Sequence, residues 1–168
     1  MMRVTIRLAT AEDATVIHQM LLESAASMGK ADQVHSTPES IALHGFGADP
    51  AFEVLIAEVG GVPAGMSLFF TSFSTWRGTI GGYIQDIFVL PEVRRTGLAT
   101  RLLAATAAHV RASGGTYVRL SVASDNLGAQ RFYARTRMVW STEERIYVLD
   151  GAQFEALSDV EGYEPWRG

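Results

Sequence analysis

The central segment of the chain runs Gln85-Asp86-Ile87-Phe88-Val89-Leu90-Pro91-Glu92-Val93-Arg94-Arg95-Thr96-Gly97-Leu98-Ala99-Thr100-Arg101-Leu102-Leu103. Its apolar first part predicts a strand that stops at Pro91, and the rest predicts a short basic loop and a helix beginning around Gly97. The first N–H groups of a helix lack partners within the helix and carry the positive end of its dipole. With two arginines beside them, these groups suit a pyrophosphate. The residues predicted to hold it are Arg94, Arg95, Thr96, Gly97, Leu98, Ala99 and Thr100.

Two familiar phosphate motifs are absent from this segment. It has no Gly-Lys-Ser/Thr ending, so it is not a P-loop, and it lacks the Gly-x-Gly-x-x-Gly of dinucleotide-binding folds. An Arg-Arg pair before a helix is also often just solvated charge, so the segment alone leaves both interpretations open.

A second informative segment runs Ser121-Val122-Ala123-Ser124-Asp125-Asn126-Leu127-Gly128-Ala129-Gln130-Arg131-Phe132-Tyr133-Ala134-Arg135. A β-branched run, Thr116 to Val122, ends at residues that favour helix caps. The helix that follows has Phe132 and Tyr133 on the face of Ala129. By itself, that face is better explained by packing of an amphipathic helix.

Together the two segments resemble the GNAT superfamily of acetyl-CoA-dependent N-acetyltransferases. The match lies in Arg94-Arg95-Thr96-Gly97-Leu98-Ala99, in Asn126 one strand later, and in Tyr133 seven residues on. The resemblance implies that acetyl-CoA is the co-substrate, bound through its pyrophosphate at the basic loop and through Asn126. It implies that the central strand splays open and pairs with the pantetheine at Ile87, Phe88 and Val89. It also implies that Tyr133 assists the leaving thiolate.

A narrower resemblance is to the diamine (spermidine/spermine) acetyltransferase branch, through residues 45–50, 69–76 and 83–86. That branch has Glu-Asp where this chain has Gln85-Asp86. An amide neither titrates nor carries charge, so Gln85 cannot accept the proton of an amine substrate. Asp86 is adjacent, but successive strand side chains face opposite ways, so Asp86 could serve only if a β-bulge re-aims it. Gln85, Asp86 and Tyr133 are therefore the candidate catalytic residues.

Composition bounds the class of protein. The 168 residues are 48% hydrophobic and 19% charged, which predicts one globular domain, 1–168. No apolar run approaches the roughly 18 residues of a membrane span, and residues 1–4 lack a signal-peptide core, so we expect a cytoplasmic protein that binds no membrane. The net charge of −4, with no basic cluster beyond Arg94-Arg95, argues against nucleic-acid binding.

The side chains that usually bind metals are also sparse. The chain has no cysteine, which excludes an acyl-cysteine intermediate, so acyl transfer should go directly to the acceptor. Its four histidines show no metal-ligand spacing, and no metal is expected.

The order of elements predicts an α+β fold of three layers, α/β/α, with a mixed, mostly antiparallel central sheet flanked by helices. Strands are predicted at 4–7, 52–59, 62–71, 83–90, 116–122 and 139–149, with 72–82 as a loop or ragged strand edge. Helices are predicted at 11–27, 38–44, 96–113, from about 127 to 137, and from 150 to 157, before an acidic tail with Tyr163 and Trp166.

The sequence thus favours an acetyltransferase acting on a primary amine of a small molecule, with a polyamine or diamine as one candidate. An amino acid, an aminoglycoside or a protein N-terminus remains an alternative acceptor. A non-catalytic acyl-CoA sensor is the alternative from another class, and Tyr133 argues against it because a binding domain does not need that phenol. Members of the diamine branch are commonly homodimers, which implies a homodimer here.

Overall fold

A computed structural model describes residues 3–158 of the chain. The chain divides between Asn126 and Leu127 into two compact units, and each is described by itself below. Within residues 3–158, no helix is both long and apolar enough to cross a bilayer.

The first unit is built on a five-stranded sheet with the order β1-β2-β3-β4-β5. The first four strands are antiparallel neighbours, and β5 alone runs parallel to its neighbour, β4. A tight turn with positive φ at Gly60 and Gly61 joins β2 to β3, as the Gly-Gly pair predicts. The strands are β1 Val4–Leu8, β2 Glu53–Val59, β3 Val62–Ser74, β4 Thr79–Val89 and β5 Val118–Leu120.

Helices cover both faces of this sheet. Two of them, α1 (Ala14–Ser27) and α2 (Pro38–Phe46), supply Ile17, Met20 and Ile41 to the larger core. The sheet side of that core consists of Val54, Ile56, Met66, Leu68 and Phe88. The third helix, α3 (Leu98–Ala112), packs on the opposite face. The predicted α/β/α layering and mostly antiparallel sheet are confirmed.

The α3 face contains a buried polar contact. Thr106 Oγ1 lies 2.9 Å from Ser67 Oγ and 2.9 Å from the Leu102 carbonyl oxygen, and both side chains are fully buried. Helix α3 packs closely on the sheet at two glycines. A Cβ added at Gly65 would lie 3.2 Å from the Leu102 side chain, and one added at Gly82 would lie 2.6 Å from the Val110 side chain.

An ion cluster joins β1 to β2 and to the turn before α1. Arg7 makes two hydrogen bonds to Asp13, of 2.8 and 2.9 Å, and a third of 2.8 Å to Glu58. The Thr10 N–H donates to Asp13 as well, at 2.8 Å. These bonds, the one from Arg7 foremost, hold the pKa of Asp13 below its ordinary value.

The second unit contains α4 (Leu127–Arg135) and α5 (Gly151–Ser158). After α4, Arg137 adopts a left-handed conformation with φ 66°. The Met138 N–H donates to the Tyr133 carbonyl and the Arg137 N–H to the Ala134 carbonyl, both at 3.1 Å. This is a Schellman C-cap, and its left-handed position is one that usually belongs to glycine.

Several predicted boundaries are wrong. Residues 139–149 are not a strand in the described part of the chain, although their pattern predicts one, and Val139 and Trp140 are exposed. Residues 72–82 are more regular than predicted, because β3 and β4 continue to a short turn in which the Gly78 N–H donates to the Ser74 carbonyl. Helix α1 starts at Ala14, after a 3-10 turn, and α3 starts at Leu98. The predicted acidic tail lies outside the described residues.

Candidate active site

The basic loop between β4 and α3 turns sharply at two positions. Arg95 has φ 65° and Gly97, the N-cap of α3, has φ 84°. Positive φ is uncommon for a residue with a side chain and often marks a functional site. The Thr96 hydroxyl donates to the Val93 carbonyl at 2.7 Å and thereby fixes the turn.

The turn leaves a row of amides available at the start of α3. The first bond within the helix joins the Arg101 N–H to the Gly97 carbonyl at 3.0 Å. Among the residues that the structure describes, the N–H groups of Leu98, Ala99 and Thr100 have no acceptor. The Leu98 side chain is buried, while Thr96, Gly97 and Thr100 are exposed. The helix is thus anchored by Leu98 and presents its amides outward, as an anion requires.

Arg94 connects this loop to the end of β4. Its Nε lies 3.4 Å from the Val89 carbonyl oxygen, a long hydrogen bond, and its guanidinium lies 5.8 Å from the centre of the Phe88 ring. A positive charge is therefore held where the strand ends and the loop begins.

Within residues 3–158, the second half of β4 has one unpaired edge. The β4–β5 pairing extends only over Gly82–Ile84, whereas the β3–β4 pairing continues to Val89. The Leu90 N–H donates to the Ala64 carbonyl of β3, and backbone groups alternate along a strand, so those of Ile87 and Val89 point away from β3. Phe88 differs: its carbonyl faces Gly65 of β3 and its ring joins the larger core.

A β-bulge interrupts β4 immediately before this edge. Leu68 pairs with Asp86 and Phe69 pairs with Ile84, so Gln85 has no partner on β3. Directly paired residues share a face of the sheet. Ile84 therefore lies on the α3 face with Phe69, whose ring contacts His109, while Asp86 lies on the opposite face with Leu68. The bulge required to re-aim Asp86 is present.

The bulge also brings Asp86 onto the face of Tyr83. Tyr83 pairs with Phe70, and the two rings are stacked at 5.1 Å. The Tyr83 hydroxyl lies 2.7 Å from Ser121 Oγ, and Arg119 lies 5.9 Å from the Tyr83 ring centre. These residues were not predicted as parts of the site. One signal was available, because apolar residues at 84, 87 and 88 break the two-residue period of a regular strand.

Asp86 itself is half-buried, whereas Gln85 is exposed. Asp86 has no hydrogen bond or ion pair with any residue in the described range 3–158. Burial alone raises the pKa of its carboxyl above the usual value.

The two remaining predicted residues come from the segment around α4. Asn126 ends the first unit, where its N–H donates to the Ala123 carbonyl and its side-chain amide lies 4.0 Å from Met28 Sδ. Tyr133 belongs to the second unit and lies in the last turn of α4, where its ring centre is 5.1 Å from that of Phe132. No cluster of three or more potential metal ligands occurs in residues 3–158.

Comparisons with known proteins show what the chain is similar to. The sequence model described as the acetyltransferase (GNAT) family matches residues 17–137. Thialysine N-epsilon-acetyltransferase of Bos taurus is 31% identical over 167 residues, which are 95% of this chain and 98% of that relative. A spermidine/spermine N(1)-acetyltransferase-like protein of Homo sapiens is 29% identical over 105 residues, 58% of this chain and 15% of its own length. Among solved structures, an integron cassette protein from the mobile metagenome of V. cholerae superposes with a TM-score of 0.79, at 16% identity, covering 94% of this chain and 98% of its own.

Proposed function

Because the chain belongs to the acetyltransferase (GNAT) family and is therefore an acyltransferase, we propose that it moves the acetyl group of acetyl-CoA directly to a primary amine of a small molecule. The observation that carries this proposal is the row of amides at the start of α3, which lies at the end of a strand with an unpaired edge.

The start of α3 fits the pyrophosphate of coenzyme A. The N–H groups of Leu98, Ala99 and Thr100 need an acceptor, and the helix dipole adds positive potential. Arg94 and Arg95 supply two full positive charges in a protein whose net charge is −4. An anion with several oxygens satisfies both requirements at once.

The unpaired edge of β4 fits the extended pantetheine arm. Ile87 and Val89 direct their backbone groups outward, so an extended chain with amides can pair with them as a strand would. The same edge supplies an N–H that can hydrogen-bond the thioester oxygen as it gains negative charge. The thioester provides the activated acetyl group; the protein provides orientation and this donor.

For Tyr133, the resemblance to the family supports a role at the leaving thiolate. A phenol pKa near 10 lies above a thiol pKa near 8.5, so complete proton transfer is uphill by about 2 kcal/mol. We therefore assign Tyr133 a hydrogen bond that stabilises the thiolate. Changing Tyr133 to Phe should lower kcat about 10²-fold with little change in the Kd of acetyl-CoA, and an unchanged kcat would exclude the residue from the reaction.

The names of the relatives support a proposal for the class of acceptor. Thialysine is a lysine analogue and spermidine is a polyamine, and both present a primary amine on a flexible chain. We propose an acceptor of this kind, ahead of an aminoglycoside or a protein N-terminus. A sensor without turnover is disfavoured because the half-buried, unpaired Asp86 would have no use in it.

The test is titration calorimetry with acetyl-CoA and, in parallel, with pantetheine, which lacks the pyrophosphate. We expect acetyl-CoA to bind much more tightly than pantetheine. Release of coenzyme A thiol with thialysine, ornithine and spermidine then reports turnover. An absence of acetyl-CoA binding at millimolar concentration would overturn the function, whereas tight binding without turnover on any amine would favour the sensor.

We also propose that the enzyme acts in the cytoplasm as a homodimer. The support is the resemblance to the diamine branch and the absence of cysteine from the sequence. Light scattering coupled to size-exclusion chromatography tests the assembly, and a monomer mass would refute it.

A further inference from the structure

The two half-buried or buried aspartates of the first unit have opposite environments. Asp13 receives two hydrogen bonds from Arg7 and one from the Thr10 N–H, and its pKa is lowered. Asp86 has no such partner in the described chain, and its pKa is raised. Asp13 therefore has the environment of a structural ion pair. Burying the Asp86 carboxylate destabilises the fold, and no contact within the described residues offsets that destabilisation.

The position of Asp86 results from the bulge at Gln85. In a regular strand, Asp86 would share the α3 face with Ile84, two residues away. The extra residue moves Asp86 to the opposite face, next in line to Tyr83. Asp86 lies one residue before Ile87, in the part of β4 that β5 does not pair. A molecule near Asp86 is thus adjacent to the strand segment to which we assign the thioester.

Few charges compete for this carboxylate. The ionisable residues on the helices and strands packed against this face are His18 and Glu23 of α1, Glu39 and His44 of α2, and Arg119 of β5; β3 has none. None of them contributes to the shift of the Asp86 pKa, which comes from burial alone. An incoming ammonium group is the counter-charge that this environment accepts.

Building on the proposed function, we propose that Asp86, rather than the residue at position 85, binds the ammonium of the acceptor and accepts its proton. The ammonium gives one proton to the carboxylate. The freed lone pair then forms the C–N bond while the C–S bond breaks, and the leaving thiolate takes the second proton lost by nitrogen. Asp86 afterwards returns its proton to water.

The chemistry explains why a half-buried carboxylate is useful. An amine of pKa about 10.4 is less than about 0.1% unprotonated at pH 7, so some group must take its proton. Transfer to an ordinary aspartate is uphill by about 9 kcal/mol, and each unit by which the carboxyl pKa rises lowers that gap by about 1.4 kcal/mol. Gln85, exposed on the bulge, cannot take this proton because it is an amide.

The experiment compares Asp86→Asn with wild type and with Asp32→Asn, a matched change at an exposed position. With thialysine and spermidine, we expect Asp86→Asn to lower kcat/KM about 10²-fold or more and to leave the Kd of acetyl-CoA within about twofold. The acidic limb of the pH profile of kcat/KM should disappear in Asp86→Asn and persist in Asp32→Asn. A residue that only supports the fold would not remove that limb.

A stability measurement tests the same assignment without turnover. Because burial raises the folded pKa of Asp86, ionisation destabilises the fold as the pH rises through that pKa. Asp86→Asn should therefore melt above wild type at pH 8, and this advantage should vanish at acidic pH.

The inference and the proposed function fail differently. If wild type binds acetyl-CoA and acetylates an amine while Asp86→Asn keeps kcat/KM within threefold or retains the wild-type pH profile, Asp86 is not the proton acceptor and the proposed function stands. If wild type binds no acetyl-CoA, the proposed function itself is wrong.

Discussion

Gly97 offers a direct test of the proposed pyrophosphate site, the row of amides at the start of α3. Replacing Gly97 by alanine changes the preferred backbone conformation there without introducing a steric clash. Gly97 has φ 84°, and a Cβ added there would meet nothing within 4 Å. The left-handed conformation costs an alanine about 1–2 kcal/mol. The loop is exposed, so the alanine variant can relax to negative φ and turn the amides of Leu98 and Ala99 away from one another.

Binding must then restore the original turn. If that costs about 1–2 kcal/mol, the Kd of acetyl-CoA rises about 5- to 30-fold. Since the unbound loop relaxes, the melting temperature of the free protein should change little.

Gly61 provides the matched control. It also has φ 85° and nothing within 4 Å of an added Cβ, but it lies in the turn between β2 and β3. β2 and β3 pair with each other right up to this turn, so the turn cannot relax to a negative φ. Gly61→Ala should therefore lose about 1 kcal/mol of stability, or about 2–4 °C in melting temperature. The Kd of acetyl-CoA should not change.

Calorimetric titration and thermal unfolding of both variants decide the matter. Gly97→Ala should shift mainly the Kd and Gly61→Ala mainly the melting temperature. An unchanged Kd in Gly97→Ala, or an equal rise in both variants, would mean that the geometry at Gly97 does not hold the ligand.

Three further predictions concern stability. Arg137→Gly should raise the free energy of unfolding by about 1 kcal/mol, because glycine adopts the left-handed conformation of that C-cap without strain. Urea titration measures this free energy. Thr106→Val should cost about 1–3 kcal/mol by leaving the hydroxyl of Ser67 buried without a partner, and adding Ser67→Ala should recover part of the loss. Since Arg7 lowers the folded pKa of Asp13, the ionised carboxylate stabilises the protein above its ordinary pKa, and the advantage of wild type over Asp13→Asn should shrink as the pH falls from 6 to 3.

The turn and helix start that we propose to bind the pyrophosphate could be predicted because their determinants are local. A proline stops the strand, and a glycine caps the helix. Two arginines are fixed between them by a few residues of chain. The structure adds the left-handed turn at Arg95, which no propensity favours for a residue with a side chain.

The predicted strand at 139–149 failed for the opposite reason. Alternating apolar residues indicate that a segment can form a strand, but a strand also needs backbone hydrogen bonds to a neighbouring strand. Its sequence contains Trp140 and Tyr147, which have high β-propensity, yet both lie exposed and residues 139–149 are not a strand in the range that the structure describes. Pairing is a non-local property, and one segment cannot reveal it.

The position of Asp86 lies between these two cases. The sequence shows that Asp86 could accept a proton only if a β-bulge is present, since Gln85 cannot titrate and the side chain of Asp86 would point to the opposite face from Gln85 in a regular strand. Whether a bulge forms depends on which face each residue of β4 takes. Ile84 is buried on the α3 face and Phe88 is buried in the larger core on the opposite face, although their even spacing would place both on one face of a regular strand. Each of those apolar side chains is buried in its own layer, so shifting the register to remove the bulge would expose one of them, at a cost of about 2 kcal/mol or more. The packing of two core residues thereby maintains the bulge, and the bulge turns the carboxylate toward the face where an acceptor would need it.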